Sequence, residues 1–86
     1  MSIQDESRAV ARLKARYVDA AIKYGAACDA HSHPLTVNRY ARRVIAAARG
    51  LKKAGDEGKQ ALDSPLDHDN PYVRVWAAND VYPFDE

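Results

Sequence analysis

The 86-residue chain is long enough for one small domain, and its formal net charge of +1 leaves it nearly neutral. A chain of this size buries only about 60–65% of the surface that its unfolded form exposes, so its core must be thin. The balanced charge provides no global field that would attract nucleic acid or a membrane. A single cysteine excludes an internal disulfide and favours a reducing compartment, which we expect to be the cytoplasm.

The N-terminal residues lack the basic start and apolar run of a signal peptide. No apolar stretch approaches the roughly 20 residues that cross a bilayer, so we expect no membrane association.

The first periodic segment predicts a long amphipathic helix over residues 5–29, with fraying expected from Gly25 onward. Apolar side chains recur there at steps of three and four residues, and a second apolar stripe lies beside the first. We expect both stripes to form one wide buried face. The first stripe is Val10, Leu13, Tyr17, Ala20, Tyr24 and Cys28, and the second is Ala11, Ala15, Val18, Ile22 and Ala26.

A loop over residues 30–35 leads to a second helix, predicted over residues 35–54. Pro34 suits the first turn of that helix, and Gly55 stands where a C-cap glycine belongs. Because the link is short, the two helices should be antiparallel neighbours. The expected buried face of the second helix is Val37, Tyr40, Ala41, Val44, Ile45, Ala48 and Leu51.

The second half of the chain predicts two shorter helices. A weak helix over residues 56–62 should end or bend at Pro65. A polar turn then leads to Asn70, a candidate N-cap, and to a last helix over residues 71–82 that begins with Pro71. No strand pattern is present, so we expect an all-α domain of two antiparallel helical hairpins, about four helices in all.

The stretch over residues 67–81 resembles the second half of a HEAT repeat. It contains an acidic turn, a proline that begins a helix, a Val-Arg pair, two small residues one turn later and a further apolar residue. Val73, Ala77 and Val81 fall on one helix face, which the last helix should bury. Arg74 has the reach to contact an acid of the preceding turn or of a neighbouring repeat.

The whole chain is similar to a bacterial family of short α-α superhelix proteins, a domain family to which no function is assigned. The similarity rests on the N-terminal amphipathic helix, on the segment over residues 37–55 and on the HEAT-like end. It implies a single HEAT-like domain over residues 1–86. Family members continue with a further helix or two, so we expect a naturally short protein or a truncated C-terminal end. An uncovered Trp76 or Phe84 would then favour homo-oligomers through the exposed C-terminal helix.

The second helix carries six basic residues and no acid, and five of the six share one arc opposite its apolar face. One interpretation is a groove for an acidic protein, RNA or a phosphate-bearing ligand. The alternative is a solvated face paired with Asp56, Glu57 or acids of the first helix. The net charge close to zero argues against binding of nucleic acid. If Tyr40 points inward, no aromatic residue lies among the basic residues of the arc to stack on a base. The six are Arg39, Arg42, Arg43, Arg49, Lys52 and Lys53, with Lys52 at the edge.

Two other clusters could carry chemistry. Cys28, His31 and His33 could bind zinc or nickel, but a structural zinc site usually takes four ligands and no fourth is evident. We therefore favour a buried thiol and two loop histidines. His68 lacks a nucleophile or an acid–base partner, so it suits the turn that caps the last helix. No phosphate loop, dinucleotide fingerprint or nucleophile elbow is present, and we expect neither catalysis nor a cofactor.

These observations favour a non-catalytic protein–protein interaction module, and a bacterial immunity or antitoxin-like protein that blocks a toxin by steric contact is one concrete form. The alternative function is binding of nucleic acid or another anionic ligand through the basic face of the second helix. Tyr72 and Tyr82 should be the exposed tyrosines, because they lie near the ends of the last helix. The predicted partner surface consists of Arg39, Arg42, Arg43, Arg49, Tyr72 and Arg74.

Overall fold

A computed structural model of the protein describes the backbone of residues 3–82 and the side chains of residues 7–82. All regular structure in this range is helical, which confirms the prediction of an all-α domain with about four helices. The helices are α1 (Ile3–Asp29), α2 (Pro34–Lys53), α3 (Asp56–Asp63) and α4 (Pro71–Val81), with a 3-10 turn at Ser64–Asp67 between α3 and α4. Between residues 3 and 82, none of these helices is both long enough and apolar enough to cross a membrane.

Helices α1 and α2 pack side by side in opposite directions, as the short link between them predicts. Leu13, in the first half of α1, lies against Gly50 near the end of α2. At the other end, Ala27 and Tyr40 line the same shallow depression. The chain reverses at His31, whose φ of 54° lies in the left-handed region. Contrary to expectation, α1 does not fray from Gly25 but stays helical to Asp29.

The core lies where all four helices meet. Its largest fully buried side chains come from α1, α2, α4 and the 3-10 turn, which contributes Pro65. Alanines fill the space between the helices, which allows them to approach closely. Val73 and Ala77 are both 0% exposed, which confirms the predicted inner face of α4. The members of the core include Tyr17, Ala20, Ala21, Val44, Ala48, Leu51, Leu62 and Val73.

The observed buried faces of α1 and α2 are narrower than the predicted ones. In the second apolar stripe of α1, Val18 is half-buried but the other four residues are exposed. On α2, Ile45 is 43% exposed, whereas Ala47, which the pattern did not place inside, is 5% exposed. The reason is geometric, because each neighbouring helix covers only part of a helix circumference and α1 has open surface beyond α2 and α4. The exposed members of the stripe are Ala11, Ala15, Ile22 and Ala26.

Two glycines determine how α3 follows α2. Gly55 has a φ of 75°, which side-chain-bearing residues rarely adopt, and it ends α2 at the predicted position. Gly58 is buried, and a Cβ at this position would overlap the carbonyl oxygen of Leu51. Only glycine therefore allows the backbone of α3 to rest on the last turn of α2.

The polar turn before α4 has the predicted capping role. The Oδ1 atom of Asn70 accepts hydrogen bonds from the backbone N–H groups of Tyr72 (2.9 Å) and Val73 (3.4 Å). His68 supports the same turn, since its Nδ1 accepts a hydrogen bond from the backbone N–H of Asn70 at 3.0 Å. These bonds satisfy donors that an uncapped helix end would leave unpaired.

Candidate interaction surface

The outer face of α2 carries the six basic side chains predicted from its sequence, and all six are exposed. Lys52 is paired, because its Nζ lies 3.5 Å from Oδ1 of Asp80. Among the side chains of residues 7–82, the other five have no acidic partner within 4.0 Å. The expected pairing with Asp56, Glu57 or acids of α1 is therefore not observed within this range, since Lys52 pairs with Asp80 of α4 instead. We call the five residues Arg39, Arg42, Arg43, Arg49 and Lys53 the basic arc.

Two exposed apolar side chains lie beside the basic arc. Leu35 is 70% exposed and Ile45 is 43% exposed. Leu35, Arg42 and Arg49 are spaced by seven residues, so they lie on one face of α2, and Ile45 falls between the two arginines. Arginine is enriched at protein interfaces, where apolar side chains often accompany it. This face therefore combines exposed cations with exposed apolar side chains.

Two shallow grooves border Arg43. The first lies between α1 and α2, has a volume of about 410 Å³ and is called the α1–α2 groove below. The second, of about 450 Å³, lies on the outer side of α2. The α1–α2 groove is lined by Leu13, Arg16, Asp19, Ala20, Arg43, Ala46 and Ala47, and the outer groove by Leu35, Asn38, Arg39, Arg42 and Arg43.

Arg43 is held in place by an aromatic ring. Its guanidinium carbon lies 5.4 Å from the centroid of the Tyr40 ring, a separation at which a cation–π contact contributes about 0.5–1 kcal/mol. Tyr40 is half-buried. The expectation that it points fully inward, away from the basic residues, is therefore wrong in part. The contact restrains the Arg43 side chain, which lines both grooves.

Tyr72, which was predicted to be exposed on the partner surface, is half-buried and packs within the fold. A Cβ on Gly25 would overlap the Tyr72 ring, so the ring occupies a slot that only glycine leaves open. The Tyr72 hydroxyl donates a hydrogen bond of 2.7 Å to Oδ1 of Asp29. This bond raises the pKa of Tyr72 above its ordinary value. Tyr82, by contrast, is 70% exposed, as predicted.

Arg74 is exposed, but its guanidinium is also used within the fold. Nη1 of Arg74 donates to the backbone oxygens of His68 (2.7 Å) and Asp69 (3.0 Å). It reaches back to the preceding turn as expected, although its acceptors there are carbonyls and not an acidic side chain. Of the predicted surface, the structure therefore brings together the four arginines of α2, while Tyr72 and Arg74 lie on α4 and stabilise it.

Contacts between distant residues join α1 to α4 and α2, and sequence reasoning missed them. Tyr17 is 0% exposed, and its hydroxyl donates a hydrogen bond of 2.6 Å to Oδ2 of Asp80. Burial, together with this bond to a carboxylate, raises the pKa of Tyr17. Asp80 also pairs with Lys52, so it connects all three helices. Tyr17 and Asp80 are 63 positions apart, and no local pattern signals such a pair.

An aromatic cluster strengthens the same contact between α1 and α4. Tyr24 meets Tyr72 and Trp76 edge-on, with ring centroids 6.2 and 5.2 Å apart. Trp76 is half-buried in this cluster and is not left uncovered. Phe84, the other residue for which exposure was considered, lies outside the described residues. The outer face of α4 is nevertheless apolar, with Val75 60% exposed between the exposed Pro71 and Ala78.

Cys28 and His33, near the first loop, make separate contacts. Cys28 is half-buried on α1, where its hydrogen bond with the Tyr24 hydroxyl raises the pKa of Tyr24. His33 caps α2, because its Nδ1 accepts a hydrogen bond from the backbone N–H of Leu35 at 3.1 Å. Among the residues described, no group of three or more His, Cys, Asp or Glu side chains is placed to hold a metal ion.

Comparison of the chain with protein-family models, with curated proteins and with solved structures finds no match. The similarity to HEAT repeats and to the bacterial superhelix family stays a prediction. The function is therefore inferred from the chemistry of the surface itself.

Proposed function

We propose that this chain is a non-catalytic protein–protein interaction module that receives an acidic protein on the basic arc of α2. The observation that carries the proposal is a helix face with five exposed cations that have no acidic partner among the described residues. Arg39 and Arg43, like Arg49 and Lys53, are like charges one helical turn apart, and such pairs destabilise a helix by a few tenths of a kcal/mol each. A partner with complementary charge would relieve this repulsion.

The neighbouring apolar side chains support a protein partner over nucleic acid. Leu35 and Ile45 would remain without a favourable contact on a phosphate backbone, whereas a protein can cover them. The net charge of +1 also provides little long-range attraction for a polyanion. An immunity or antitoxin-like protein that blocks an enzyme by steric contact in the cytoplasm is one form of such a module. We propose further that the helices form two HEAT-like hairpins, an arrangement that displays helix faces to partners.

Charge reversal tests the proposal. The variant Arg39→Glu/Arg42→Glu/Arg49→Glu changes three exposed positions, so its circular dichroism should match that of the wild-type protein. The matched control Arg8→Glu/Arg12→Glu/Lys59→Glu carries the same total charge but leaves the basic arc intact. A partner captured from the source cell, then identified and purified, should bind the wild-type protein and the control. Its Kd for the arc variant should rise at least tenfold, and an unchanged Kd would refute the proposal.

Binding of nucleic acid or another anionic ligand is the second candidate. The five cations of the basic arc have no acidic partner among the side chains of residues 7–82, which favours this candidate independently of the apolar residues. Neutralising several phosphates would make affinity fall steeply between about 50 and 200 mM salt. This candidate predicts such a fall for an RNA or DNA oligonucleotide, and loss of binding in Arg42→Ala/Arg49→Ala. No binding at 50 mM salt would exclude it for nucleic acid.

A further inference from the structure

The side chains that line the α1–α2 groove indicate which kind of polypeptide segment would bind there. We propose that the acidic partner contributes an amphipathic helix, with its apolar ridge in this groove and its carboxylates on the arginines at the rim. This inference rests on the proposed function, and it adds the partner's local structure and the place where it docks.

The bottom of the groove is apolar and made of short side chains. Ala20 and Ala47 are 4% and 5% exposed, and Ala46 lies beside them at the surface. Leu13 closes one end of the depression. Short side chains at a contact allow a helix to approach closely, and a row of larger apolar side chains from that helix would fill the space. This is how an amphipathic helix binds in a groove between two helices.

The two sides of the groove carry positive charge. Arg16 on α1 and Arg43 on α2 both line it, and neither has an acidic partner among the described side chains. Asp19 also lines the groove, but its carboxylate is bound to Lys23 at 3.0 Å. Tyr40 restrains Arg43, which lowers the entropy that this side chain loses on binding. A helix with glutamates on both flanks of its leucines would match these charges.

The extent of the surface sets the length of the occupant. Along α1 the α1–α2 groove extends from Leu13 to Ala20, a distance of about 10 Å at a rise of 1.5 Å per residue. A partner helix of at least two turns covers this distance. Such an interface is small, so we expect a Kd in the micromolar range. The affinity should decrease as the salt concentration rises.

A synthetic peptide tests the inference without knowledge of the natural partner. The probe is a fluorescein-labelled 16-residue helical peptide with leucines one turn apart and glutamates on both flanks, measured by anisotropy at 50 mM salt. We expect a Kd near 10–100 μM. A peptide with lysine in place of glutamate and one with alanine in place of leucine should each bind at least tenfold more weakly. Equal binding of either control peptide, or no binding of the probe at 1 mM, overturns the inference.

Two protein variants locate the site, and both lie outside the basic arc. Arg16→Glu reverses one side of the groove, and Ala46→Leu fills its floor from an exposed position. Each should weaken binding of the labelled peptide at least fivefold. The control Arg8→Glu, which reverses the charge of an exposed residue elsewhere on α1, should not weaken it. Unchanged binding to both groove variants overturns the inference. So does displacement of the bound peptide by a single-stranded oligonucleotide at lower concentration than by unlabelled peptide.

The same variants separate this inference from the proposed function. If the natural partner loses binding to the arc variant but binds Arg16→Glu and Ala46→Leu normally, the interaction module stands and the groove is not its site. If the arc variant also binds normally, the proposed function fails as well.

Discussion

Polar side chains are paired with each other at the contact between α1 and α4, whereas those on the outer face of α2 are mostly unpaired among the described residues. Between α1 and α4, tyrosine hydroxyls donate to Asp29 and Asp80, and Asp80 also binds Lys52. Within residues 7–82, no buried side-chain polar atom lacks a hydrogen-bond partner. On α2, five cations face solvent with no carboxylate of the described side chains within 4.0 Å. Polar groups that stabilise a fold are paired inside it, and departures from this pattern concentrate at functional sites.

Substitution of two leucines on α2 should produce the largest difference in stability. Leu51 is 0% exposed and Leu35 is 70% exposed. Leu51→Ala leaves a cavity in the core and should lower the free energy of unfolding by about 3 kcal/mol. Leu35→Ala should change it by less than about 0.5 kcal/mol. Urea denaturation followed by circular dichroism measures both, and equal effects would mean that the two faces of α2 are wrongly assigned.

Removal of one hydroxyl tests the contact between α1 and α4. Tyr17→Phe keeps the buried ring but takes a hydrogen bond from the Asp80 carboxylate, so it should cost about 2 kcal/mol. Tyr82→Phe, at an exposed position, is the matched control and should leave stability unchanged. Urea denaturation at pH 8 compares the two variants with the wild-type protein.

The difference between Tyr17→Phe and the wild-type protein should shrink at alkaline pH. The pKa of Tyr17 is raised in the folded protein, so above pH 10 the unfolded tyrosine ionises while the folded one keeps its proton. The folded state then binds more protons, and its stability falls as pH rises. With an unfolded pKa near 10, the advantage of the wild-type protein should fall by about 1.4 kcal/mol between pH 8 and pH 11. A constant difference over this range would contradict the proposed environment of Tyr17.

Substitution of two arginines should produce a smaller difference in stability. Arg74 donates to two backbone carbonyls in the turn before α4, whereas Arg42 has no acidic partner among the described residues. Arg74→Ala should lower stability by about 1 kcal/mol, because those carbonyls lose their donor. Arg42→Ala should change it by less than about 0.5 kcal/mol. Thermal unfolding curves of the two variants, recorded in the same buffer, provide the measurement.

The smallest expected effect has the opposite sign. Arg39→Glu replaces a like-charge pair with an attractive one, because Glu at position 39 lies one turn before Arg43. It should raise the free energy of unfolding by about 0.3–0.5 kcal/mol at low salt, and the gain should disappear in 1 M NaCl. The same substitution should weaken partner binding. If it destabilises the protein instead, Arg39 has a structural role within the fold.

The helix boundaries could be predicted from the sequence because local signals set them. Pro34, Gly55 and Asn70 each act within one turn of their own position, and each lies where expected. The position of the basic arc also follows from helical periodicity alone. The coverage of α1 could not be predicted, because an alanine stripe looks the same whether or not another helix lies on it.

The misassignment of Tyr72 has a specific cause. Tyr72 was expected to be exposed because it lies near the end of α4, but Gly25 of α1 provides a slot for its ring. Gly25 itself suggested only a fraying helix end. The bond between Tyr17 and Asp80 spans 63 positions, and one sequence contains no signal for contacts at that distance. Side chains that act through distant partners were therefore missed, whereas those that act within their own helix were found.

The close approach at Gly58 has a consequence for how the molecule opens. Helix α3 has eight residues, too few to be stable alone in water, so it depends on its contacts with α2 and on the burial of Leu62. Loss of those contacts would release α3 while α1 and α2 stay paired. Backbone amides of α3 should therefore exchange with deuterated solvent long before those at the centres of α1 and α2, through partial opening that leaves the long hairpin folded.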